Sequence, residues 1–253
     1  MIHFVGAGPG DPEMITLKGY RLLQKADLVV YAGSLVNPEL LCYTRQDVRL
    51  VNSASLSLEE IVGIMTEYHQ NGAHVVRLHT GDASIYGAIG EQMEELKQRE
   101  IPYTIVPGVS SFLAAAATLG KEYTVPGGSQ TVVVTRREGR TPVPQGEKLS
   151  SLASHGSSMV IFLSAGLVEQ VQEELLQGYP PQTPVAVVYR ASWPDEKVVQ
   201  GTLDNLAELA RNSNITKTAL IMVGDFLQET GRSKLYHEDF SHGFRKSVSG
   251  GSQ

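Results

Sequence analysis

VGAGPGD, residues 5–11, decides the fold. It closes the apolar run IHFVGAG (2–8), which reads as a buried strand ending in a glycine turn. DPEMITLKGYRLLQKA (11–26) follows and reads as a helix. Asp11 suits its N-cap, Pro12 its first position and Glu13 the positive helix end. Strand, glycine loop and helix in that order open many nucleotide-binding folds, yet the spacing does not fit one. A dinucleotide loop reads GxGxxG with an acid about 20 residues on. Here Gly6, Gly8 and Gly10 give GxGxG, followed at once by Asp11 and Pro12. A carboxylate thus stands where a pyrophosphate would sit, and Pro9 lacks an N–H. No GxxxxGK[ST] loop occurs.

The pattern continues outward from that loop. DLVVYAG (27–33) reads as a strand and SLEEIVGIMTEYHQNG (57–72) as an amphipathic helix ended by Gly72. HVVRLHTGD (74–82) reads as a strand and loop. YGAIGEQMEELKQRE (86–100), YTIVPG (103–108) and VSSFLAAAATLG (109–120) read as helix, strand and helix. This βαβ series predicts a mainly parallel sheet covered on both faces. KEYTVPGGSQ (121–130) breaks the pattern and reads as a linker. Strands are expected at TVVVTR (131–136), SMVIFLS (158–164), PVAVVYRA (184–191), KVVQGTLD (197–204) and TALIMVGDF (218–226), with helices near 165–177 and 204–212. The strands flanking SWPDE are expected to form an antiparallel hairpin with a five-residue connection. The fold class is therefore α/β in two domains: residues 1–120 with a mainly parallel sheet and 131–228 with a mixed sheet. Residues 229–253 read as a polar, partly disordered tail.

The 253 residues suffice for a full core, and 42% hydrophobic with 19% charged is a globular balance. A formal net charge of −6 argues against a general nucleic-acid binder. No apolar run reaches the ~20 residues of a membrane span, and MIHFVGAG carries no targeting pattern, so a cytoplasmic protein is expected. The single cysteine, Cys42, excludes an internal disulfide and reads as a small buried hydrophobe. The seven histidines are scattered, so no protein-bound metal is expected.

Two further loops resemble the first: Thr80-Gly81-Asp82 after one strand and VPGVSS (106–111) after another. In a parallel sheet all three fall at the carboxyl edge, where open α/β folds bind ligands. Their carboxylates, hydroxyls and backbone suit a ligand with hydroxyls and positive charge, such as S-adenosylmethionine. Both aspartates serve equally well as plain helix caps and turn formers.

GAGPGDPEMITLKG, HTGDASIYGAI and IVPGVSS, in this order and spacing, resemble the tetrapyrrole (corrin and sirohaem) methyltransferases over about residues 2–227. TRREGRTPVP (135–144), VVYRASWPDEKVVQGTL (187–203) and LYHEDFSHGFRK (235–246) resemble the branch that methylates C-11 of precorrin-4 or cobalt-precorrin-4 in cobalamin biosynthesis. The resemblance implies S-adenosylmethionine as methyl donor, a tetrapyrrole substrate, an active site in the cleft between two α/β domains, and a homodimer. It implies that Gly8, Pro9, Gly10 and Asp11 line the tetrapyrrole side, with Pro9 approaching the donor. Thr80, Gly81, Asp82, Ser110, Ser111, Leu163, Ala191, Thr218 and Ala219 are then expected to contact the donor. Arg136, Arg137 and Arg140 in RREGR are expected to meet the substrate's acetates and propionates, for which guanidinium is suited. The alternative for this loop is a solvated surface with a salt bridge to Glu138. Asp11, His79 and Tyr86 are the candidate proton carriers. Trp193 either walls the cleft or anchors its turn. Methylation of another precorrin or uroporphyrinogen carbon, a nicotinamide-dependent oxidoreductase and a non-catalytic ligand sensor are the competing readings.

Overall fold

The computed structural model describes residues 1–228, 231–233, 240, 241 and 243. Most of the expected tail lies outside these, as do His237 and His242. The chain divides into two compact units. The first is Met1–Thr118 with Arg190–Glu196; the second is Leu119–Tyr189 with the described residues from Lys197 on.

Unit 1 carries five parallel strands in the order β3-β2-β4-β1-β5. These are β1 (Ile2–Gly6), β2 (Leu28–Tyr31), β3 (Arg49–Asn52), β4 (Val75–His79) and β5 (Tyr103–Val106). Its helices are α1 (Leu17–Leu23), α2 (Leu58–Gln70), α3 (Ile89–Gln98) and α4 (Ser111–Leu119). Alternate strand residues feed two cores. Ile2, Phe4, Leu28, Val30 and Val75 pack with Ile61, Val62 and Met65 of α2 and Leu96 of α3. Val5, Val29, Val76, Leu78 and Val106 pack on the other face with Leu23 of α1 and Leu40. Each fully buried side chain of this size stabilises by about 1.5–3 kcal/mol, so neither face tolerates exposure. The helix α2 starts on a capping box: Glu60 N–H donates to Ser57 Oγ at 3.2 Å, and Ser57 N–H to Glu60 Oε2 at 2.7 Å.

Three local expectations fail in unit 1. Residues 11–26 do not form one helix: Pro12–Met14 make a 3-10 turn, and α1 starts afresh behind Thr16. Asp11 caps only that turn, accepting from Glu13 N–H at 2.8 Å. The helix expected from Tyr86 starts at Ile89, because Tyr86 and Ala88 hold φ of 54° and 48°. Cys42 is exposed, on the outer side of the 3-10 segment Pro38–Tyr43 that buries Leu40.

Unit 2 carries a mixed sheet in the order β6-β7-β10-β8-β9. Its strands are β6 (Val132–Arg136), β7 (Ser158–Phe162), β8 (Pro184–Tyr189), β9 (Lys197–Thr202) and β10 (Ala219–Val223). β6 and β7 run parallel, and β10 lies antiparallel between β7 and β8. β8 and β9 form the expected antiparallel hairpin. Their connection is seven residues, Arg190–Glu196, because β8 ends at Tyr189. The helices α5 (Leu149–Ala153), α6 (Val168–Leu175) and α7 (Leu206–Asn212) cover one face, where Leu149, Val171, Leu175 and Leu206 meet Met159, Ile161, Val185 and Ile221.

Candidate functional site

Within unit 1 the loops after β1, β4 and β5 are bonded together. Gly8 and Gly81 exchange backbone hydrogen bonds at 3.2 and 2.8 Å, with φ of 81° and 59° that side-chain-bearing residues rarely adopt. Ala7 N–H donates to the His79 carbonyl at 2.7 Å. Asp82 joins the third loop: its Oδ2 accepts from Gly108 N–H at 2.8 Å, and its Oδ1 from Ser84 N–H at 2.8 Å and from the Ser84 hydroxyl. Burial works against the charge on Asp82, and these bonds outweigh it, holding the carboxyl below its ordinary range. Pro9, Thr80, Gly81, Asp82, Ser110 and Ser111 therefore stand on one bonded cluster at the carboxyl edge of the sheet.

Gly8, Pro9 and Gly10 are themselves buried, and Asp11 is half-buried. Trp193 lies on Gly10 and donates from Nε1 to the Pro9 carbonyl at 3.0 Å. Trp193 thus does more than anchor its own turn. Ala191 is buried in the same seven-residue connection.

His79 ends β4 at 4% exposure, with its Nε2 lacking a hydrogen-bond partner. Burial, with the charge of Arg77 second, pushes its pKa down to about 3, so the ring is neutral. Arg77, 5% exposed, donates to Gln92 Oε1 at 3.0 Å and to the Val30 carbonyl at 3.3 Å. Gln92 in turn donates to the Ala88 carbonyl at 3.2 Å, bracing the chain just after Tyr86. Sequence reading passed over Arg77; the charged residue at the middle of an apolar strand, VVRLH, was the available signal.

In unit 2 the register gathers a second group. β7 ends beside the start of β10, so Leu163 and the Thr218-Ala219 pair lie at one end of the sheet. Leu163 is 70% exposed, and both it and Thr218 hold left-handed backbone, φ 54° and 53°. Such strain costs about 1–3 kcal/mol per residue and concentrates at ligand sites. Arg136 pairs with Phe162, and Arg137 N–H donates to Ser164 Oγ at 2.9 Å, so the RREGR loop leaves from the same end. Its three arginines differ. Arg136 donates to the carbonyls of Arg137, Thr141 and Pro142, bracing its loop. Arg137 pairs with Glu174 of α6 at 2.7 Å, not with Glu138. Arg140 is exposed and makes no hydrogen bond or ion pair among the described residues.

Among the described residues no group of three or more His, Cys, Asp or Glu could hold a metal, and no described helix is long and apolar enough to cross a membrane.

The same loops and sheets recur in known proteins. The family model for tetrapyrrole (corrin/porphyrin) methylases matches residues 1–207. A cobalt-precorrin-4 C(11)-methyltransferase of Methanocaldococcus jannaschii is 53% identical over 97% of this chain and 96% of its own. The X-ray structure of a cobalamin biosynthetic enzyme, cobalt precorrin-4 methyltransferase, is 47% identical. It superposes with a TM-score of 0.88 over 90% of this chain and 96% of that one. A uroporphyrin-III C-methyltransferase of Thermus thermophilus, solved with S-adenosyl homocysteine, is 30% identical, with a TM-score of 0.75 over 90% and 93%. Two five-stranded sheets, one all parallel and one mixed, with the three bonded loops at the parallel edge, fit that company: the chain belongs to the tetrapyrrole methylases.

Proposed function

We propose that the chain transfers a methyl group from S-adenosylmethionine to C-11 of precorrin-4, free or as its cobalt complex, in cobalamin biosynthesis. One observation carries this reading: 53% identity, end to end, with an enzyme named for that carbon. The residues fit the donor chemically. The loop cluster offers glycine backbone beside the hydroxyls of Thr80, Ser110 and Ser111, and an exposed Leu163 offers an apolar surface. When bound, the donor supplies a methyl group already activated on a sulfonium.

The chain's own residues then align and exclude water. Holding two reactants in line is worth about 7–11 kcal/mol, and no protein nucleophile is required. We assign donor contact to Thr80, Gly81, Asp82, Ser110, Ser111 and Ala191, and likewise to Leu163, Thr218 and Ala219. Gly8, Pro9 and Gly10 shape the acceptor loop, and Asp11, half-buried on it, faces the macrocycle. Of the three candidate proton carriers we assign this side of the reaction to Asp11, since His79 is buried and neutral. Arg140 meets a substrate carboxylate, while Arg136 and Arg137 set the loop from which it reaches. In this reading the enzyme works in the cytoplasm as a homodimer, and any cobalt arrives inside the substrate.

The test is single-turnover methyl transfer with purified protein, S-adenosylmethionine and precorrin-4, with and without cobalt. A new methyl located at C-11 by NMR is the expected product, and the faster substrate names the route. A methyl on another carbon moves the assignment to a sibling reaction. Donor binding without turnover on either substrate favours a ligand sensor.

A further inference from the structure

The connection Arg190–Glu196 belongs to unit 1, where it closes on the glycine loop after β1. Trp193 Nε1–H donates to the Pro9 carbonyl at 3.0 Å, and Asp11 N–H donates to Ser192 Oγ at 3.0 Å. A Cβ added to Gly10 would stand 2.1 Å from Trp193 Cδ1 and 2.4 Å from its Nε1, so indole and backbone are in direct contact. From another side the buried Asn37 donates through Nδ2 to the Gly10 carbonyl at 2.8 Å.

The connection is itself braced. The Arg190 guanidinium lies 3.8 Å from the centre of the Trp193 ring and pairs with Asp195 at 2.6 Å. Glu196 Oε2 accepts from Ser192 N–H at 2.6 Å and from the Thr118 hydroxyl at 3.0 Å. Arg190 and Ser192 hold φ of 49° and 66°. Strained backbone of this kind persists only where its surroundings over-determine it. Here the surroundings are the bonds just given, and those made by Trp193 Nε1, Ser192 Oγ and Asn37 end on Pro9, Asp11 and Gly10.

We infer that Trp193 is a positioning residue of the methyl transfer: by fixing the Pro9 carbonyl and the Gly10 backbone, it sets Asp11 against the methyl acceptor. The inference rests on the methyltransferase reading. An indole neither carries charge nor exchanges a proton here, so its part is geometric. A misplacement of about 1 Å can cost on the order of 100-fold in rate. The loops that carry Thr80 to Asp82 and Ser110 to Ser111 are tied to each other by their own bond, Gly108 N–H to Asp82, so the effect falls on kcat and spares donor affinity.

The experiment compares the full chain with Trp193→Phe, Trp193→Ala, Gly10→Ala and the double variant Gly10→Ala/Trp193→Ala. Amide hydrogen exchange reads the loop without any substrate. Trp193→Ala is expected to speed exchange at Asp11 at least tenfold while the β4 amides stay as they are. Single-turnover rates read the chemistry. Trp193→Ala is expected to lower kcat by a factor of 30 or more with the S-adenosylmethionine Kd within twofold. Trp193→Phe, which keeps a ring on Gly10 but loses the N–H, is expected to fall between. Gly10→Ala is expected to be severe alone and to add less than twofold once the indole is gone. Unchanged exchange at Asp11 overturns the clamp whatever the activity. Faster exchange with an unchanged kcat overturns its positioning role. If the unaltered protein methylates neither form of precorrin-4, the function reading fails, and the exchange data alone decide whether the clamp exists.

Discussion

Gly6 and Gly108 meet with no space between their backbones. A Cβ on Gly6 would stand 2.6 Å from the Gly108 Cα, and one on Gly108 would stand 2.8 Å from the Gly6 Cα and 2.2 Å from the Gly81 carbonyl oxygen. All these neighbours are backbone and cannot rotate away. Gly108→Ala is therefore expected to cost about 2–3 kcal/mol in urea unfolding. It is also expected to weaken S-adenosylmethionine binding at least tenfold by calorimetry. A variant as stable as the parent would show that the loops have slack.

Asp82 is what holds the second loop to the third. In Asp82→Asn one acceptor becomes a donor facing either Gly108 N–H or Ser84, so one of these bonds is lost, the one to Gly108 being part-buried. The expected loss of stability is about 1–3 kcal/mol, with weaker donor binding. Since the native carboxyl lies below its unfolded value of 3.8, its contribution is present above that pH and fades as the pH falls below it. Equal acid unfolding of the two proteins below pH 4 would count against this role.

His79 acts in a different window. Its folded pKa, about 3, lies below the unfolded 6.5, so between those values the unfolded chain takes up a proton that the folded chain refuses. Stability is complete above pH 6.5 and falls toward pH 3, with a slope approaching about 1.4 kcal/mol per pH unit. His79→Leu removes the titrating ring and is expected to flatten this limb in urea titrations at pH 7, 6, 5 and 4. A limb of unchanged slope would mean that the ring protonates in place.

Arg140→Ala is expected to raise the tetrapyrrole KM about tenfold, on the scale of one charge-assisted contact, with the S-adenosylmethionine Kd unchanged. Arg136→Ala removes the brace on the Thr141 and Pro142 carbonyls and is expected to lower Tm as well. Steady-state kinetics beside thermal melts separates them. Equal effects of Arg140→Ala on both ligands would remove it from the substrate side.

Leu163→Gly relieves left-handed strain at a side chain that covers little of the protein. A gain of about 1 kcal/mol, roughly 2 °C in Tm, is expected together with a severalfold weaker donor Kd. If Tm and affinity both stay put, the strain serves no ligand.

The sheets were legible because a strand buried on both faces is an unbroken apolar run, as in LVVY and MVIF. The edge strand RLVN (49–52) escaped notice because it is largely exposed and lacks such a run. The meeting of the loops at 6–11, 80–82 and 106–111 followed from parallel topology, which puts every such loop at one edge. Helix starts were less legible. Pro12 fits the first turn of a 3-10 segment as well as that of an α-helix, and nothing local marks the left-handed Tyr86 and Ala88. Cys42 looked buried among apolar neighbours, but a 3-10 segment turns only one edge inward. The partners of Arg137 and Trp193 were out of reach because they are tertiary: Glu174 lies 37 residues from the first, and Pro9 lies 184 from the second.

Five amides of the glycine loops are bonded inward. Ala7 donates to His79, Gly8 and Gly81 to each other, Asp11 to Ser192 and Gly108 to Asp82, while Pro9 and Pro107 have no N–H. A phosphate cradle works by offering such groups outward. Cellular ATP shares the adenosine half of the methyl donor, but these five groups are already spent and offer its triphosphate nothing. If the donor sits on these loops as proposed, the direction in which their amides point separates two abundant adenosyl compounds, and millimolar ATP is expected to leave methyl transfer at full rate.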